Sequence, residues 1–363
     1  MLKVNESTRN YNFDIIRIIA IMAVVMIHVA DYMTYSSYMS FSLTEYDSNI
    51  GMIFEGTSHF AVPLFVMVSG GLFLDNNRHI TFEEIFSKYI KNIFILFVEW
   101  SIIYAILFDM VIPCVLNKEI SILFFLKDVF CGHYHMWYML MIMGLYFITP
   151  YLRSFTTKTN KKMVLIYLIA SGLLFFTAPI LDCFEVLCNN SYLIDGINII
   201  RVILEKAHLD FLGGYVAYFL AGWYIVKFSE GGKKRVIFLI GTISYVFMLI
   251  LTFLSRSKSA FTALNILIFI ISISIFYFII NLKLKLTPSW KKTIMKLSHC
   301  SFGVFMIHPM FLEVIVKVIP YKGIVAGKPI LWIILIWLIV MGLSLGMVCI
   351  MDKIPLIKKL VRS

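Results

Sequence analysis

The sequence predicts an all-α fold, a polytopic membrane helix bundle of about ten transmembrane helices with both termini in the cytoplasm. Of its 363 residues, 60% are hydrophobic and 15% are charged, whereas a soluble domain has about 45–50% apolar and about 25% charged residues. One soluble core cannot bury so much apolar surface, and ten stretches are long enough to cross a bilayer. We expect a single transmembrane domain over 1-363 and no separate soluble domain.

The apolar stretches follow one another along the whole chain. They lie at roughly 13–30, 51–74, 90–113, 136–153, 163–182, 211–228, 236–254, 261–281, 298–318 and 330–350. The first contains an arginine and a histidine, and no small-residue cleavage pattern follows it, so we expect a retained helix rather than a signal peptide. Loops or short interfacial helices are expected in the longest gaps, near 31–50, 114–135 and 183–210.

The basic residues predict the orientation of these helices. The formal net charge is +11. If the N-terminus is cytoplasmic, twenty-two of the 32 Lys and Arg residues fall on that side and eight on the other, while Arg17 and Lys317 lie within helices. Cytoplasmic loops carry such an excess, so we expect a multi-pass protein of the cell membrane with both termini inside. The charge therefore requires no nucleic-acid partner.

Six cysteines are present, and four of them fall at or near the predicted outer face: Cys114, Cys131, Cys183 and Cys188. Cys183 and Cys188 are the nearest pair, but connectivity cannot be read from a sequence. No spacing resembles a zinc or iron–sulfur site. We predict no bound metal and no permanently bound cofactor.

A few ionisable residues lie inside the predicted helices, where they are costly and commonly mark function. Asp14 and Arg17 are three residues apart and therefore neighbours on one helix face. Arg17 and His28 are eleven residues apart, which is about three turns, so they share nearly the same face at a rise separation of roughly 16 Å. Such a face suits a long substrate with an anionic head near the cytoplasmic boundary and a reactive end deeper in the membrane.

His28 is the candidate for a catalytic residue. The pKa of a free histidine, about 6.5, suits a general base at neutral pH. A buried histidine with purely structural hydrogen bonds explains the sequence equally well, and Asp14 with Arg17 has an alternative interpretation as a structural ion pair.

Four motifs follow one another in order across nearly the whole membrane region. They are FDIIRIIAIMAVVMIH, PLFVMVSGGLFL, HMWYMLMIMGLYFITPYL and SFGVFMIHPMFLEV. Their chief residues are Asp14, Arg17, His28, Pro63, Phe65, Ser69, Gly70, Trp137, Tyr138, Leu145, Tyr146, Pro150, Ser301, Gly303, His308 and Pro309. Together they resemble the motifs of the membrane-bound acyltransferase 3 family. Lys88 and Lys91, in KYIK, stand nearest to the place where that family tends to have an Arg-x-x-Arg motif.

The resemblance implies transfer of an acyl group, often acetyl, from cytoplasmic acyl-CoA to a hydroxyl of an extracytoplasmic glycan or other cell-envelope acceptor. Acyl-CoA is then a co-substrate, and the expected partners are the acceptor, the lipid bilayer and glycan-assembly proteins. We expect His28 to deprotonate the acceptor hydroxyl, with an acyl-His intermediate as the second option.

The same resemblance suggests roles for further residues. We expect the inner basic residues Lys88, Lys91 and Arg153 to hold the CoA head. We expect Arg17, oriented by Asp14, to bind a phosphate or an amide of the CoA arm. Further candidates to bind the donor or line its path are Ser69, Trp137, Tyr138 and His308. Candidates to orient His28 or balance its charge are Asp31, Glu55 and His59.

Other functions and weaker signals remain open at this point. The same Arg17–His28 pore suits a transporter or flippase of a small molecule or cell-wall precursor, and a scaffold for a glycan synthase is a third hypothesis. His133 and His135 flank an aromatic residue, which favours an interfacial histidine–aromatic cluster over a metal pair. The acceptor, the acyl group and the oligomeric state cannot be read from the sequence.

Overall fold

A computed structural model of the chain describes residues 9–34, 44–75, 78, 80–115, 117, 119–188, 190–206, 213–229, 234–318 and 328–362. These residues form helices and connecting turns, with no strand among them, so the predicted all-α fold is confirmed. In chain order the helices are α1 (Tyr11–Thr34), α2 (Glu45–Gly56), α3 (Ala61–Phe73), α4 (Phe82–Val115), α5 (Ile122–Cys131), α6 (Trp137–Lys158), α7 (Lys161–Leu174), α8 (Ala178–Leu187), α9 (Ser191–Lys206), α10 (Gly214–Phe228), α11 (Lys234–Ser255), α12 (Ile266–Ile280), α13 (Pro288–Val318) and α14 (Pro329–Met351).

Polar side chains at the helix starts account for several of these boundaries. Thr44 and Asp47 form a reciprocal capping box at the start of α2. At the start of α7, the side chain of Asn160 accepts a hydrogen bond of 2.9 Å from the backbone N–H of Met163. Such caps satisfy backbone donors that the first turn of a helix leaves unpaired.

Seven stretches of the described residues are long and apolar enough to cross a membrane. They are Tyr11–Tyr32, Glu45–Phe73, Phe82–Val115, Lys161–Leu187, Lys234–Ser255, Pro288–Val316 and Pro329–Met351. Ile266–Ile280 is a shorter apolar helix. Helices also cover the predicted segments 136–153 and 211–228, although the start of the second lies outside the described residues. The chain is therefore a polytopic bundle, while the count of ten and the cytoplasmic termini stay predictions.

Contacts at the two ends of the bundle agree with helices that alternate in direction. At the end where α1 begins, the side-chain amide of Asn12 donates to the backbone carbonyl of Ile280 at 2.8 Å. At the opposite end, Lys258 Nζ lies 2.6 Å from Asp31 Oδ1. Segments that the basic residues assign to one side of the membrane thus meet at one end.

The helix α1 lies inside the bundle, in contact with α2, α3, α12, α13 and α14. Beside it, α3 and α10 approach each other closely at two glycines. A Cβ atom at Gly70 would lie 1.8 Å from the carbonyl oxygen of Phe219, and one at Gly222 would lie 2.0 Å from that of Met67. Small residues let helix backbones approach in membranes, so Gly70 of the second motif has a packing role.

All six cysteines lie within the described residues, and all are free. Cys183 is buried in α8, and Cys188 follows that helix in a half-buried position. The two form no disulfide in this structure.

Candidate functional site

The helix α1 carries the two residues on which the predicted site depends. Arg17 lies near its start and His28 near its end, and both are half-buried although other helices surround α1. The Arg17 side chain keeps 30% of its surface accessible, against 2% for Asp14. Ionisable side chains within membrane bundles usually face an interior cavity rather than lipid, and the helices that surround α1 agree with an interior position for this face.

Asp14 is bound on several sides at the start of α1. Its two oxygens accept hydrogen bonds of 2.8 Å from Nε and Nη2 of Arg9, and Ser298 Oγ donates to Oδ1 at 2.8 Å. Arg17 Nη1 reaches the same Oδ1 at 3.5 Å. The carboxylate is therefore held mainly by Arg9 and α13, and its contact with Arg17 is the long one.

Aromatic side chains lie next to the predicted donor-binding residues at this end. The side chain of Ser69 lies next to that of Tyr146. The ring of Tyr146 stacks on that of Phe73, with centroids 4.2 Å apart. The ring of Tyr89 packs edge-on against Phe73, with centroids 4.9 Å apart. Lys88 is exposed, with Nζ 5.4 Å from the centre of the Tyr89 ring.

Arg153 and Lys91 lie at the same end of the bundle but differ in their surroundings. Arg153 Nη1 donates to the carbonyl of Phe73 at 3.2 Å, and Nη2 donates to that of Arg78 at 2.6 Å. This guanidinium therefore holds the chain that leaves α3. Lys91 is exposed at the surface of α4.

His28 lies among rings from two other parts of the chain. Its ring centroid is 5.2 Å from that of His308 and 5.3 Å from that of Tyr134. His308 is fully buried in α13, and its Nδ1 lies 3.0 Å from the carbonyl oxygen of Val304. The first and last motifs therefore meet at their histidines.

Two buried histidines before α6 extend this group of rings. His135 lies 5.7 Å from His308 between ring centroids, and its Nδ1 is 3.1 Å from Nδ1 of His133. His133 Nε2 in turn lies 2.9 Å from Oε1 of Glu313, while Tyr104 stacks on the His133 ring at 4.3 Å. The structure thus places His133 and His135 in the interior, next to the predicted catalytic residue. Among the described residues, no group of three or more His, Cys, Asp or Glu side chains is arranged to hold a metal ion.

The three predicted supporters of His28 meet at the far end of α1, around a lysine. Lys258 Nζ lies 2.6 Å from Asp31 Oδ1 and 2.8 Å from Glu55 Oε1. Glu55 also accepts a hydrogen bond from Thr34 at 3.1 Å and lies 3.5 Å from His59 Nε2. An open pocket of about 560 Å³ is lined by residues of this end, including Thr34 and Lys258.

A family model for an acyltransferase domain matches residues 10–351, which is nearly the whole chain. The chain belongs to the acyltransferase 3 family. No curated protein and no solved structure matches it. This membership makes the chain a membrane acyltransferase, an enzyme that transfers acyl groups, and it confirms the resemblance of the four motifs.

The motif residues of this acyltransferase do not all lie at the histidines. Trp137 is 43% exposed, and its ring centroid lies 5.6 Å from that of Tyr215. Tyr138 packs between Phe65 at 6.1 Å and Phe305 at 5.5 Å, measured between ring centroids. The structure thus places Tyr138, but not Trp137, in the interior.

Sequence reasoning did not connect four residues of this end of the bundle with one another: His133, His135, Glu313 and Lys258. His133 and His135 differ from surface histidines only in their nearness to a predicted helix, and their partner Glu313 is far away in the chain. Lys258 follows a predicted helix with no local sign of its acidic partners. The signal in the sequence that could have suggested these contacts is that the ionisable residues lie at similar depths in the predicted membrane helices.

Proposed function

We propose that this acyltransferase moves an acyl group, acetyl in the first instance, from cytoplasmic acyl-CoA to a hydroxyl of an extracytoplasmic glycan or other envelope acceptor. His28 is the general base. The observation that carries the proposal is the common face of α1: Arg17 near one end and His28 near the other, each half-buried inside the bundle. We further propose a cell membrane location with both termini inside and association with glycan-assembly proteins.

The charge and the length of the CoA molecule suggest how it lies along α1. CoA has an anionic nucleotide head and a long, mostly neutral arm. Lys88 and Lys91 are exposed at the end where α1 begins, so they are available to a phosphate. Arg17 binds the next part of the arm, since a guanidinium forms strong charge-assisted hydrogen bonds. The roughly 16 Å between Arg17 and His28 along the helix axis leaves the thioester beside the imidazole.

The reaction needs one proton acceptor and no other reagent. His28 takes the proton of the acceptor hydroxyl, and the oxygen attacks the thioester carbon. A C–O bond forms, the C–S bond breaks, and the CoA thiolate takes a proton from the imidazolium. Acylation of His28 itself followed by transfer to the hydroxyl gives the same products.

Purified protein in lipid nanodiscs tests this directly. We expect free CoA to appear with transfer of label from labelled acetyl-CoA to a glycan acceptor, and we expect His28→Ala to lower kcat by about 10²–10⁴-fold. His299→Ala is the matched control, because His299 lies on α13 outside the group of rings. Uptake of an unmodified solute that survives His28→Ala would instead support a transporter and refute the enzyme.

A second variant tests the donor side. Arg17→Gln is expected to raise KM for acetyl-CoA by about 10–100-fold, since a hydrogen bond to a charged group contributes about 1.5–3 kcal/mol. The kcat at saturating donor should change much less, because His28 remains. An unchanged KM for acetyl-CoA in this variant would contradict the placement of the donor along α1.

A further inference from the structure

A groove of about 440 Å³ opens between the first turns of α13 and the last turns of α14. We call it the α13–α14 groove. Ser298, on the same part of α13, donates a hydrogen bond to Asp14, so the groove lies at the end of the bundle where α1 begins. The proposed function gives this groove no role.

One part of the groove is lined by two lysines. Lys292 and Lys296 of α13 both line it, and both are exposed. They are four residues apart, so they lie on one helix face with a rise of roughly 6 Å between them. Neither is paired with an acidic side chain of the described residues, and Asp352 at the end of α14 is bound to Arg362. This part of the groove therefore carries two positive charges that the described residues leave unmatched.

The rest of the groove is lined mainly by apolar side chains. Leu297 and Cys300 of α13 line it, together with Leu345, Gly346 and Cys349 of α14. Cys300 follows Lys296 by one turn, so the apolar lining continues along the helix face that the lysines begin. A Cβ atom at Gly346 would meet nothing within 4 Å, which shows open space beside the backbone of α14. The groove is thus positive at one end and apolar at the other.

The chain that leads into the groove has the character of a membrane interface. Residues 283–296 include five lysines and no acidic residue. Trp290, just before Lys292, is 62% exposed, and tryptophan is enriched at the level of the lipid headgroups. Basic residues at the end of a membrane helix and basic pockets between such helices recognise anionic lipids.

We propose that the α13–α14 groove binds one anionic phospholipid, with its phosphate at Lys292 and Lys296 and an acyl chain along the apolar lining. The hydroxyl of Thr293, which also lines the groove, can donate to the same phosphate. A zwitterionic lipid has no net charge to match two lysines. A soluble anion such as CoA has no long apolar chain to cover Leu297 and Leu345. The proposal does not depend on acyl transfer, because lipid binding needs neither acyl donor nor acceptor.

A lipid in this groove contacts α13 and α14 together. These two helices pack closely beside it, since a Cβ atom at Gly303 of α13 would lie 2.7 Å from Cγ2 of Val348 of α14. A ligand that binds only the folded bundle raises its melting temperature. The anionic lipid should therefore stabilise the packing of the helix that carries His308.

Native mass spectrometry of the full chain in detergent measures the affinity directly. We expect one phosphatidylglycerol to bind saturably, about tenfold or more tightly than phosphatidylcholine with the same acyl chains. Replacing Lys292 and Lys296 together by Gln should lower the affinity for phosphatidylglycerol by roughly 30-fold, because each lysine near a membrane surface contributes a factor of about five. Replacing Lys161 and Lys162 by Gln is the matched control, since these lysines are exposed at the start of α7.

A second pair of variants tests the acyl-chain part of the groove. Gly346→Leu fills the space beside α14 and should abolish the binding of phosphatidylglycerol while both lysines remain. Gly342→Leu is the control, because Gly342 lies one turn earlier on α14 and its Cβ would also meet nothing within 4 Å. Phosphatidylglycerol should raise the melting temperature of the wild type and of Gly342→Leu, but not that of Gly346→Leu. Size-exclusion chromatography without added lipid shows whether each variant folds.

Four results would overturn the proposal. Equal affinity for the two lipids removes the need for an anionic headgroup. An equal loss in both double-lysine variants shows attraction by total charge rather than by the groove. Wild-type binding in Gly346→Leu excludes an acyl chain there. Displacement of phosphatidylglycerol by equimolar CoA shows a site for a nucleotide phosphate. None of these results bears on the proposed function, which label transfer from acetyl-CoA tests separately.

Discussion

Replacing Gly70 by alanine tests whether the glycine of the second motif serves helix packing. The added Cβ would lie 1.8 Å from the carbonyl oxygen of Phe219 on α10, whereas real Cβ contacts essentially never fall below 3.0 Å. The helices α3 and α10 would therefore have to separate by about 1.2 Å, the difference between these distances. Ser69, which lies next to Tyr146, would move with α3.

The expected cost follows from the nature of the obstacle. Overpacking costs about 1–3 kcal/mol, and we expect the upper end because a backbone carbonyl cannot rotate away as a side chain does. A loss of about 3 kcal/mol lowers the ratio of folded to unfolded protein by roughly 150-fold. At roughly 2 °C for each kcal/mol in a chain of this size, the melting temperature should fall by about 6 °C.

Fluorescence-detected size-exclusion chromatography after heating measures this change in detergent. Gly342→Ala and Gly346→Ala on α14 are the matched controls, since a Cβ at either position meets nothing within 4 Å. Alanine is the better helix former by about 1 kcal/mol, so both controls should melt at or above the wild-type temperature. If Gly70→Ala melted like these controls and yet lost activity, the packing explanation would be wrong.

Two further predictions concern the two ends of the bundle. Lys258→Met leaves Asp31 and Glu55 without their shared cation and should lower the free energy of unfolding by about 1–2 kcal/mol. This is less than the roughly 3–5 kcal/mol expected for a fully buried pair, because the lysine side chain is 32% exposed. Lys258→Arg, which keeps the charge, should retain most of the melting temperature that Lys258→Met loses. The hydrogen bond from Arg362 lowers the pKa of Asp352 below 3.8, so this contact is complete above that pH and is lost as the pH falls through the folded-state value. Proteolysis of the C-terminal segment should accelerate there in the wild type and be independent of pH in Asp352→Asn.

The fold was largely predictable because a bilayer restricts the secondary structure that a spanning chain can adopt. Lipid demands long apolar helices with their backbone groups satisfied internally, so composition and segment length were enough for the all-α bundle. The division of the segment 51–74 into α2 and α3 was not predicted. The residues between them, Thr57 to Phe60, form a turn, and a turn of three polar residues and one phenylalanine does not interrupt a hydropathy pattern clearly.

The candidate site was predictable only where it is local. The common face of Arg17 and His28 follows from helical geometry within one element. The contact between His133 and Glu313 depends on how α13 packs against the chain before α6, and no property of either segment alone encodes it. Asp31, Glu55 and His59 were chosen by depth as supports of His28, and that role stays a prediction. They do lie at one end of the bundle, but Lys258, which joins Asp31 to Glu55, lies more than two hundred residues from Asp31.

The helices α1 and α13 carry the first and last motifs, and two contacts join them. Ser298 donates to Asp14 at 2.8 Å where α1 begins, and the rings of His308 and His28 meet further along. Both helices run in the same direction past these contacts, so neither can slide along the other without breaking one of them. The separation of Arg17 from His28 is then set by rigid helix geometry rather than by loops, which is the kind of support a catalytic constellation requires.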